Sequence, residues 1–276
     1  MRVDLHTHTS ASDGELAPAA LLDLQRAEGT QLTAITDHDT LGGFDQVAAA
    51  TCAGTGPRLL SGIEFSAAHE RREVHVVGLG FDAGDRALRA VVAAQGARRG
   101  ERARQIAARL EALGYPGALE AAVRHADGGA IGRPHFARFL IESGRVRNSE
   151  EAFSRYLGEG RPAWCGIHWP EMGEVVRWIR AADGVAVLAH PLAYSLGRGR
   201  LRALVEGFRE LGGAAVEVAL AGLPDADMYT VARLVRDAGM RASAGSDFHT
   251  MAQFWRRPAR IPALPDYLEP VWTEWL

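Results

Sequence analysis

The sequence predicts an α/β fold: a (β/α) barrel one strand short of the usual eight, interrupted by a helical insertion. Three observations carry that expectation. About seven short apolar runs are mostly separated by helical segments, the order expected of a mainly parallel sheet with crossover helices. The runs are apolar nearly throughout, as strands covered on both faces must be. Histidines and carboxylates recur at the ends of those runs, where barrels of this kind keep their sites.

The opening strand, 3–5, ends in His6-x-His8, with Asp13 five residues later. Residues two apart in an extended chain point to one side. Both imidazoles can therefore face one point, and with the carboxylate they suit a divalent metal. Taken alone, the pair reads equally well as two half-buried histidines with hydrogen-bond partners. A helix follows over 18–28, with proline near its start and Gly29 at its end. The second strand, 32–36, closes on Thr36-Asp37-His38-Asp39, and Gly42-Gly43 leads into an alanine-rich helix to about residue 53. The third strand, 58–63, ends at Glu64; the fourth, 74–81, has His75 near its start; a long helix spans 86–113.

From 98 to 165 the alternation stops, and helices are joined by glycine-rich turns. This stretch holds twelve arginines against eight acids, a net of +4, so the rest of a chain at −3 overall carries −7. A basic insertion on an acidic body points to an anionic ligand held between the body and an arginine-bearing cap; the plain alternative is a solvated helical appendage. The expected division is a barrel of 1–97 plus 166–276 and an insertion, the substrate cap, of 98–165. Alternation resumes with a helix over 170–182 and an apolar strand, 184–189, ending at His190-Pro191. Then come a helix over 201–211, a strand over 214–218 containing Glu217, a helix over 225–238 and the last strand, 241–244. That strand runs into Gly245-Ser246-Asp247-Phe248-His249, and the tail with Trp255, Trp272 and Trp275 is expected to pack back on the barrel.

Composition narrows the class. Hydrophobic and charged contents of 47% and 24% are ordinary for a globular protein, and 276 residues bury a large core. A net charge of −3 excludes a general nucleic-acid coat. Cys52 and Cys165 form no Cys-x-x-Cys pair, which fits a reduced, cytoplasmic protein. No run approaches the roughly 20 apolar residues of a membrane span, no signal peptide is evident, and no stable protein partner is implied. The chain has no lysine, so an arginine here needs positional support before it is read as a phosphate ligand.

The metal-type residues near strand ends are His6, His8, Asp13, His38, Glu64, His75, His190, Asp247 and His249, six of the ten histidines among them. Soluble cores seldom collect that many imidazoles without a cation. Nine ligands exceed one ion's needs and suit two or three divalent ions sharing a carboxylate. Closely spaced ions fit phosphoester hydrolysis, because they activate water and neutralise phosphoryl oxygens.

In order along the chain, His6-x-His8 with Asp13, Thr36-Asp37-His38-Asp39, Glu64, His75 in Val-His-Val-Val-Gly-Leu-Gly, Ala189-His190-Pro191 and Ser246-Asp247-Phe248-His249 resemble the motifs of the PHP (polymerase and histidinol phosphatase) superfamily. The resemblance implies a distorted (β/α)7 barrel with a trinuclear centre. Within the superfamily, Glu101-Arg-Ala-Arg-Gln105 and Gly132-Arg-Pro-His-Phe-Ala-Arg138 resemble the nucleoside 3′,5′-bisphosphate phosphatases and their relatives, 5′-to-3′ exoribonucleases acting on short 5′-phosphorylated RNA. By that resemblance His6, His8, Glu64 and Asp247 hold a first ion. Glu64 bridges to a second with His75 and His190, and Asp13, His38 and His249 hold a third. Asp13 stands where some PHP enzymes have histidine, which favours manganese or magnesium over zinc, with iron also possible. Arg133 and His135, with Arg99 and Arg102 nearby, would take the substrate's other phosphate. A metal-bound water or a neighbouring histidine, His190 or His249, would protonate the leaving oxygen, beside Asp247. The other readings are a phosphatase for histidinol phosphate or another small phosphomonoester, and a non-catalytic, metal-stabilised nucleic-acid-binding module.

Overall fold

A computed structural model describes residues 1–51, 56–70, 72–166 and 168–276. Strands β1 (Val3–Asp4), β2 (Leu32–Ala34) and β3 (Arg58–Leu60) form a parallel three-stranded sheet, with Val3 opposite Leu32 and Leu32 opposite Arg58. A second sheet has the order β4 (Gly62–His69), β5 (Arg72–Leu79), β6 (Val185–Leu188), β7 (Ala215–Leu220), β8 (Arg241–Gly245). Its first two pairings are antiparallel and its last two parallel. The main-chain segments just beyond the strands stitch the sheets together. On one side Leu5 donates to the Ala244 carbonyl and Asp247 to that of His6; on the other Asp39 donates to the Glu64 carbonyl.

The fold is thus mixed α/β, as expected, but the strand reading needs correction. The expected strands 58–63 and 74–81 are three: β3, β4 and β5. β4 and β5 make a long hairpin, with His69 opposite Arg72 and Glu70 turning at positive φ. Residues 66–73 are alanine and charge without strand periodicity, so they read as a loop. Pairing along the whole β4 edge, and a hydrogen bond from Ala68 to the Pro170 carbonyl, hold 66–69 and 72–73 extended. Glu64 is therefore inside β4 and His75 inside β5, on facing antiparallel strands rather than at strand ends.

Helices α1 (Pro18–Ala27), α2 (Gly42–Thr51), α7 (Met172–Ala181), α8 (Arg198–Glu210) and α9 (Asp225–Asp237) follow the expected positions. The expected extension of α2 to residue 53, and Cys52, lie outside the described residues. Apolar faces of α7, α8 and α9 (Val176, Ile179, Phe208, Val231, Val235) pack with Phe65, Val76, Val187 and Val216 of the second sheet in the main core. No helix among the described residues is long and apolar enough to cross a membrane.

The 27-residue α3 (Arg86–Ala112) crosses the expected boundary at 97/98 without a break. Its first half gives Leu88 to the main core; its second half gives Ala103, Ile106 and Leu110 to a separate core with Phe136, Leu140, Tyr156 and Cys165. The remaining helices there are α4 (Ala118–Ala126), α5 (Arg133–Glu142) and α6 (Ser149–Ala152), the last running into a π-helical turn, Phe153–Leu157. Gly129 lets this segment touch the opening loop: a Cβ there would lie 2.4 Å from the Ser10 carbonyl oxygen, and Ala130 donates to that of Ala11 at 2.8 Å. In the tail, Trp272 and Trp275 pack against the main core as expected, whereas Trp255 is 45% exposed.

Candidate metal centre

Glu64 lies at the middle of the site, fully buried on β4. Its Oε2 is 3.3 Å from His6 Nε2, 3.2 Å from His8 Nε2 and 2.9 Å from His38 Nδ1. Its Oε1 is 3.0 Å from His75 Nδ1 and 2.9 Å from His190 Nε2. Asp247 Oδ1 is 3.4 Å from His8 Nε2 and 3.7 Å from His6 Nε2. Asp13 Oδ1 is 3.4 Å from His249 Nε2, and its Oδ2 is 3.8 Å from His38 Nε2. The structure brings together all nine metal-type residues named from the sequence. Three groups have donor atoms mutually within 4.8 Å: His8, Asp13, His38 and His249; His6, His8 and Asp247; His38, Glu64 and His75.

Local backbone strain aims several of these groups. His190 and Asp247 sit at positive φ just after β6 and β8, as does Asp39 after β2. Such conformations cost free energy in non-glycine residues and persist where the surroundings hold them. Gly245 permits the closest approach, since a Cβ there would be 2.5 Å from that of His6.

Electrostatics favours a cation. Burial would raise the Glu64 carboxyl, yet the imidazoles of His38, His6 and His75 hold it well below the usual range. Asp13 and Asp247 are depressed in the same way, chiefly through His38 and His249 for the first and His249 and His8 for the second. Burial works against charge on His8 and His75. The Asp247 and Glu64 carboxylates nevertheless raise His8 to about 10, and Glu64 and Glu73 raise His75 to about 9. His38, where burial dominates, is lowered to about 4. Without metal, protons held on His8 and His75 balance the ionised carboxylates. The donor set fits divalent ions: Glu64 Oε2 and His38 Nδ1 approach to 2.9 Å without a hydrogen bond of good geometry, and His8 Nδ1 is buried without a partner. A buried acceptor left so is costly unless a cation serves it.

Two supporting residues were not singled out from the sequence. Glu217 on β7 accepts from His6 Nδ1 at 2.7 Å and from the His190 backbone N–H at 2.7 Å. A carboxylate accepts only, so the His6 proton is on Nδ1 and Nε2 turns to the centre, as metal-binding histidines require. A lone glutamate in the apolar run Ala-Val-Glu-Val-Ala-Leu was the available signal. Arg256 pairs with Asp247 Oδ2; nothing in its surroundings in sequence marked it. His249 donates Nδ1–H to the Asp247 carbonyl at 3.0 Å. The nitrogens of His190 and His249 that face the centre lie against carboxylates, Glu64 Oε1 at 2.9 Å and Asp13 Oδ1 at 3.4 Å.

The four residues expected to bind a second phosphate differ among themselves. Arg99 is buried and paired with Asp39 at 2.6 Å. Arg102 is buried and forked onto Glu73 at 3.0 and 2.7 Å. His135 is buried, lowered to about 4 mainly by burial, and its Nδ1 accepts from the Gly132 backbone as a helix cap. Among the described residues the ion pair of Arg133 is a distant one, Glu73 at 3.8 Å, and its guanidinium lies 5.8 Å from the Phe153 ring. Burial pushes its guanidinium below the ordinary value; Glu73 offsets this, and Arg102 and Arg99 add to it. Arg133 and Gly132 line a cavity of about 110 Å³ with Asp13, His38 and His75, and a neighbouring cavity of about 360 Å³ joins Arg133 to His75 and His190. Of the other histidines, His125 pairs with Glu142 at 3.1 Å and His168 is exposed.

A carboxylate-bridged imidazole cluster facing an unsatisfied arginine defines a phosphoester hydrolase, and the comparisons agree. Residues 4–120 match the family model of the PHP domain. The chain is 39% identical over 273 residues to a 3′,5′-nucleoside bisphosphate phosphatase of Chromobacterium violaceum, covering 99% of this chain and 95% of that protein. It is 39% identical to the 5′-3′ exoribonuclease Rnm of Escherichia coli, covering 99% and 93%. An amidohydrolase structure from C. violaceum, solved with bound sulfate, superposes with a TM-score of 0.92 at 38% identity over 99% of this chain and 95% of that one. The chain belongs to the PHP family.

Proposed function

We propose that this protein removes the 3′-phosphate of nucleoside 3′,5′-bisphosphates and trims short 5′-phosphorylated RNA from its 5′ end. The observation that carries the reading is that one cavity is lined by Asp13, His38 and His75 together with Arg133. A substrate with two phosphates answers both needs. The names of the full-length relatives support the substrate class. In this reading the two stitched sheets are the distorted barrel of 1–97 and 166–276, and 98–165 is the cap that carries Arg133.

Two or three divalent ions, manganese or magnesium by the hard Asp13 donor, would be held by His6, His8, Glu64 and Asp247, by Glu64, His75 and His190, and by Asp13, His38 and His249. When bound, such ions activate water and neutralise phosphoryl charge. The protein's residues supply the rest. Glu217 fixes the tautomer of His6, Arg133 grips the 5′-phosphate, and the distance between Arg133 and Glu64 selects substrates with two phosphates. Arg99 and Arg102 act through Asp39 and Glu73 as supports of the wall. His190 and His249 hold ions, leaving the proton for the 3′-oxygen to come from water. RNA fits the same frame, because its first internucleotide phosphate stands where the 3′-phosphate of a bisphosphate would.

The test is one panel. Metal-stripped protein is reloaded with manganese, magnesium, zinc or iron and offered adenosine 3′,5′-bisphosphate, a short 5′-phosphorylated RNA and histidinol phosphate. Preference for histidinol phosphate would replace this reading with that of a small phosphomonoesterase. RNA binding with no product from any substrate would leave a binding module.

A further inference from the structure

The centre has two unlike ends. At Glu64 Oε1 lie His75 and His190, and beyond His75 come Glu73 and Arg133. At Glu64 Oε2 lie His6, His8 and His38; Asp247 stands beside His6 and His8, and beyond Asp247 comes Arg256. A second pocket of about 280 Å³, which Arg133 does not line, opens between His190 and Arg256 and is bounded by Glu217, Leu220, Leu223 and Trp255.

The loop at its rim is unusual for an exposed surface. Within 254–260 it carries Phe254, Trp255, Arg256, Arg257 and Arg260 and no acidic residue. Phe254 is 60% and Trp255 45% exposed, with ring centroids 5.0 Å apart, and the Arg260 guanidinium lies 5.9 Å from the Phe254 ring. Gly222 makes room for the indole: a Cβ there would be 2.8 Å from Trp255 Cδ1. Exposed aromatic faces interleaved with arginines are the surface on which single-stranded nucleic acid stacks while its phosphates are neutralised.

We propose that the Trp255 pocket and the Phe254 rim seat the nucleotides downstream of the hydrolysed phosphate of a single-stranded 5′-phosphorylated RNA. The inference rests on the function proposed above, and follows from the direction of the reaction. With the 5′-phosphate at Arg133, water attacks the first internucleotide phosphorus and the bond from phosphorus to the 3′-oxygen of the first nucleotide breaks. That oxygen takes a proton, and the phosphorus remains on the downstream chain as its new 5′-phosphate. The downstream chain must then leave the centre by a path other than the Arg133 cavity, and the pocket between His190 and Arg256, rimmed by Trp255 and the three arginines, supplies one. A nucleoside bisphosphate ends at the phosphate being hydrolysed and does not reach this surface.

The test compares substrates on the metal-loaded protein and binding on the same protein. Trp255→Ala and Phe254→Ala are expected to lower kcat/KM on a 5′-phosphorylated pentaribonucleotide about tenfold, the order expected for losing one base stack. Both leave hydrolysis of adenosine 3′,5′-bisphosphate within twofold, and Trp255→Phe restores most of the RNA activity. Binding of a pentamer with a non-hydrolysable first linkage, read by fluorescence anisotropy, weakens in parallel. An equal loss on both substrates would show Trp255 acting through Arg256 and Asp247, and would overturn the proposal. So would unchanged RNA binding, or a variant whose only change is loss of self-association. If the wild-type protein hydrolyses neither substrate, the functional reading fails, while the anisotropy series still decides this one.

Discussion

Glu217 Oε1 accepts the Nδ1 proton of His6 at 2.7 Å while its Oε2 holds the backbone N–H of His190 at 2.7 Å. One buried carboxylate thus orients histidines at both ends of the Glu64 bridge. Glu217→Gln retains the shape but has one acceptor oxygen for two donors, the His6 Nδ1–H and the His190 N–H. Removing such a partner typically weakens metal affinity about 10- to 100-fold. Metal content after dialysis against a graded chelator should show this loss with an unchanged circular dichroism spectrum; full retention would remove the orienting role.

Arg133 should act as the measuring group. Arg133→Ala is expected to lower kcat/KM on adenosine 3′,5′-bisphosphate about 10- to 100-fold, the scale of charge-assisted hydrogen bonds worth about 1.5–3 kcal/mol. A simple nucleoside 3′-monophosphate should be hardly affected. Equal losses on both substrates would contradict the idea that the arginine reads a second phosphate.

Arg99 should behave differently, because its partner is buried. Arg99→Ala leaves Asp39 without its cation, and breaking a buried pair typically costs about 3–5 kcal/mol. Thermal or urea unfolding is the measurement, with a lowered midpoint in the absence of any substrate. If stability is untouched and only KM rises, Arg99 belongs to the substrate site after all.

The metal-stripped protein should lose stability as pH rises from about 7 to 10. His8 and His75 are raised to about 10 and about 9 by Asp247, Glu64 and Glu73 against the opposing effect of burial. A histidine raised above its unfolded value of about 6.5 stabilises fully below that value, and its contribution vanishes as pH passes the folded value. His38, lowered to about 4 by burial, has the opposite sign and costs stability only below pH of about 6.5. Ions compete with the protons on His8 and His75, so the gain in melting temperature on adding manganese should be larger at pH 9 than at pH 7. Melts at the two values, with and without manganese, decide it.

Several parts of this picture were legible before any coordinates. His6, His8, His38, His190, Asp247 and His249 follow apolar runs, and a run that is apolar throughout announces a covered strand whose end is the first place a polar side chain can serve a site. Glu64 and His75 were legible as site residues for their chemistry but misplaced in the fold. Their hairpin depends on pairing between β4 and β5, and the alanine- and charge-rich stretch between them has no period of its own. Trp255 was expected to pack inward because tryptophan usually does; an exposed loop over Gly222 holds it out.

What the sequence determined by itself was the ligand set and the α/β order, because both depend on residue type and local spacing. What only the tertiary structure decided was which charge answers which. Arg99 and Arg102 lie on one helix three residues apart, yet the first faces Asp39 and the second is forked onto Glu73, while Arg133, set between Gly132 and Pro134, keeps an ion pair of only 3.8 Å. Partners 29 and 60 residues away make that difference. Coulomb energy depends on distance in space, which chain spacing does not report.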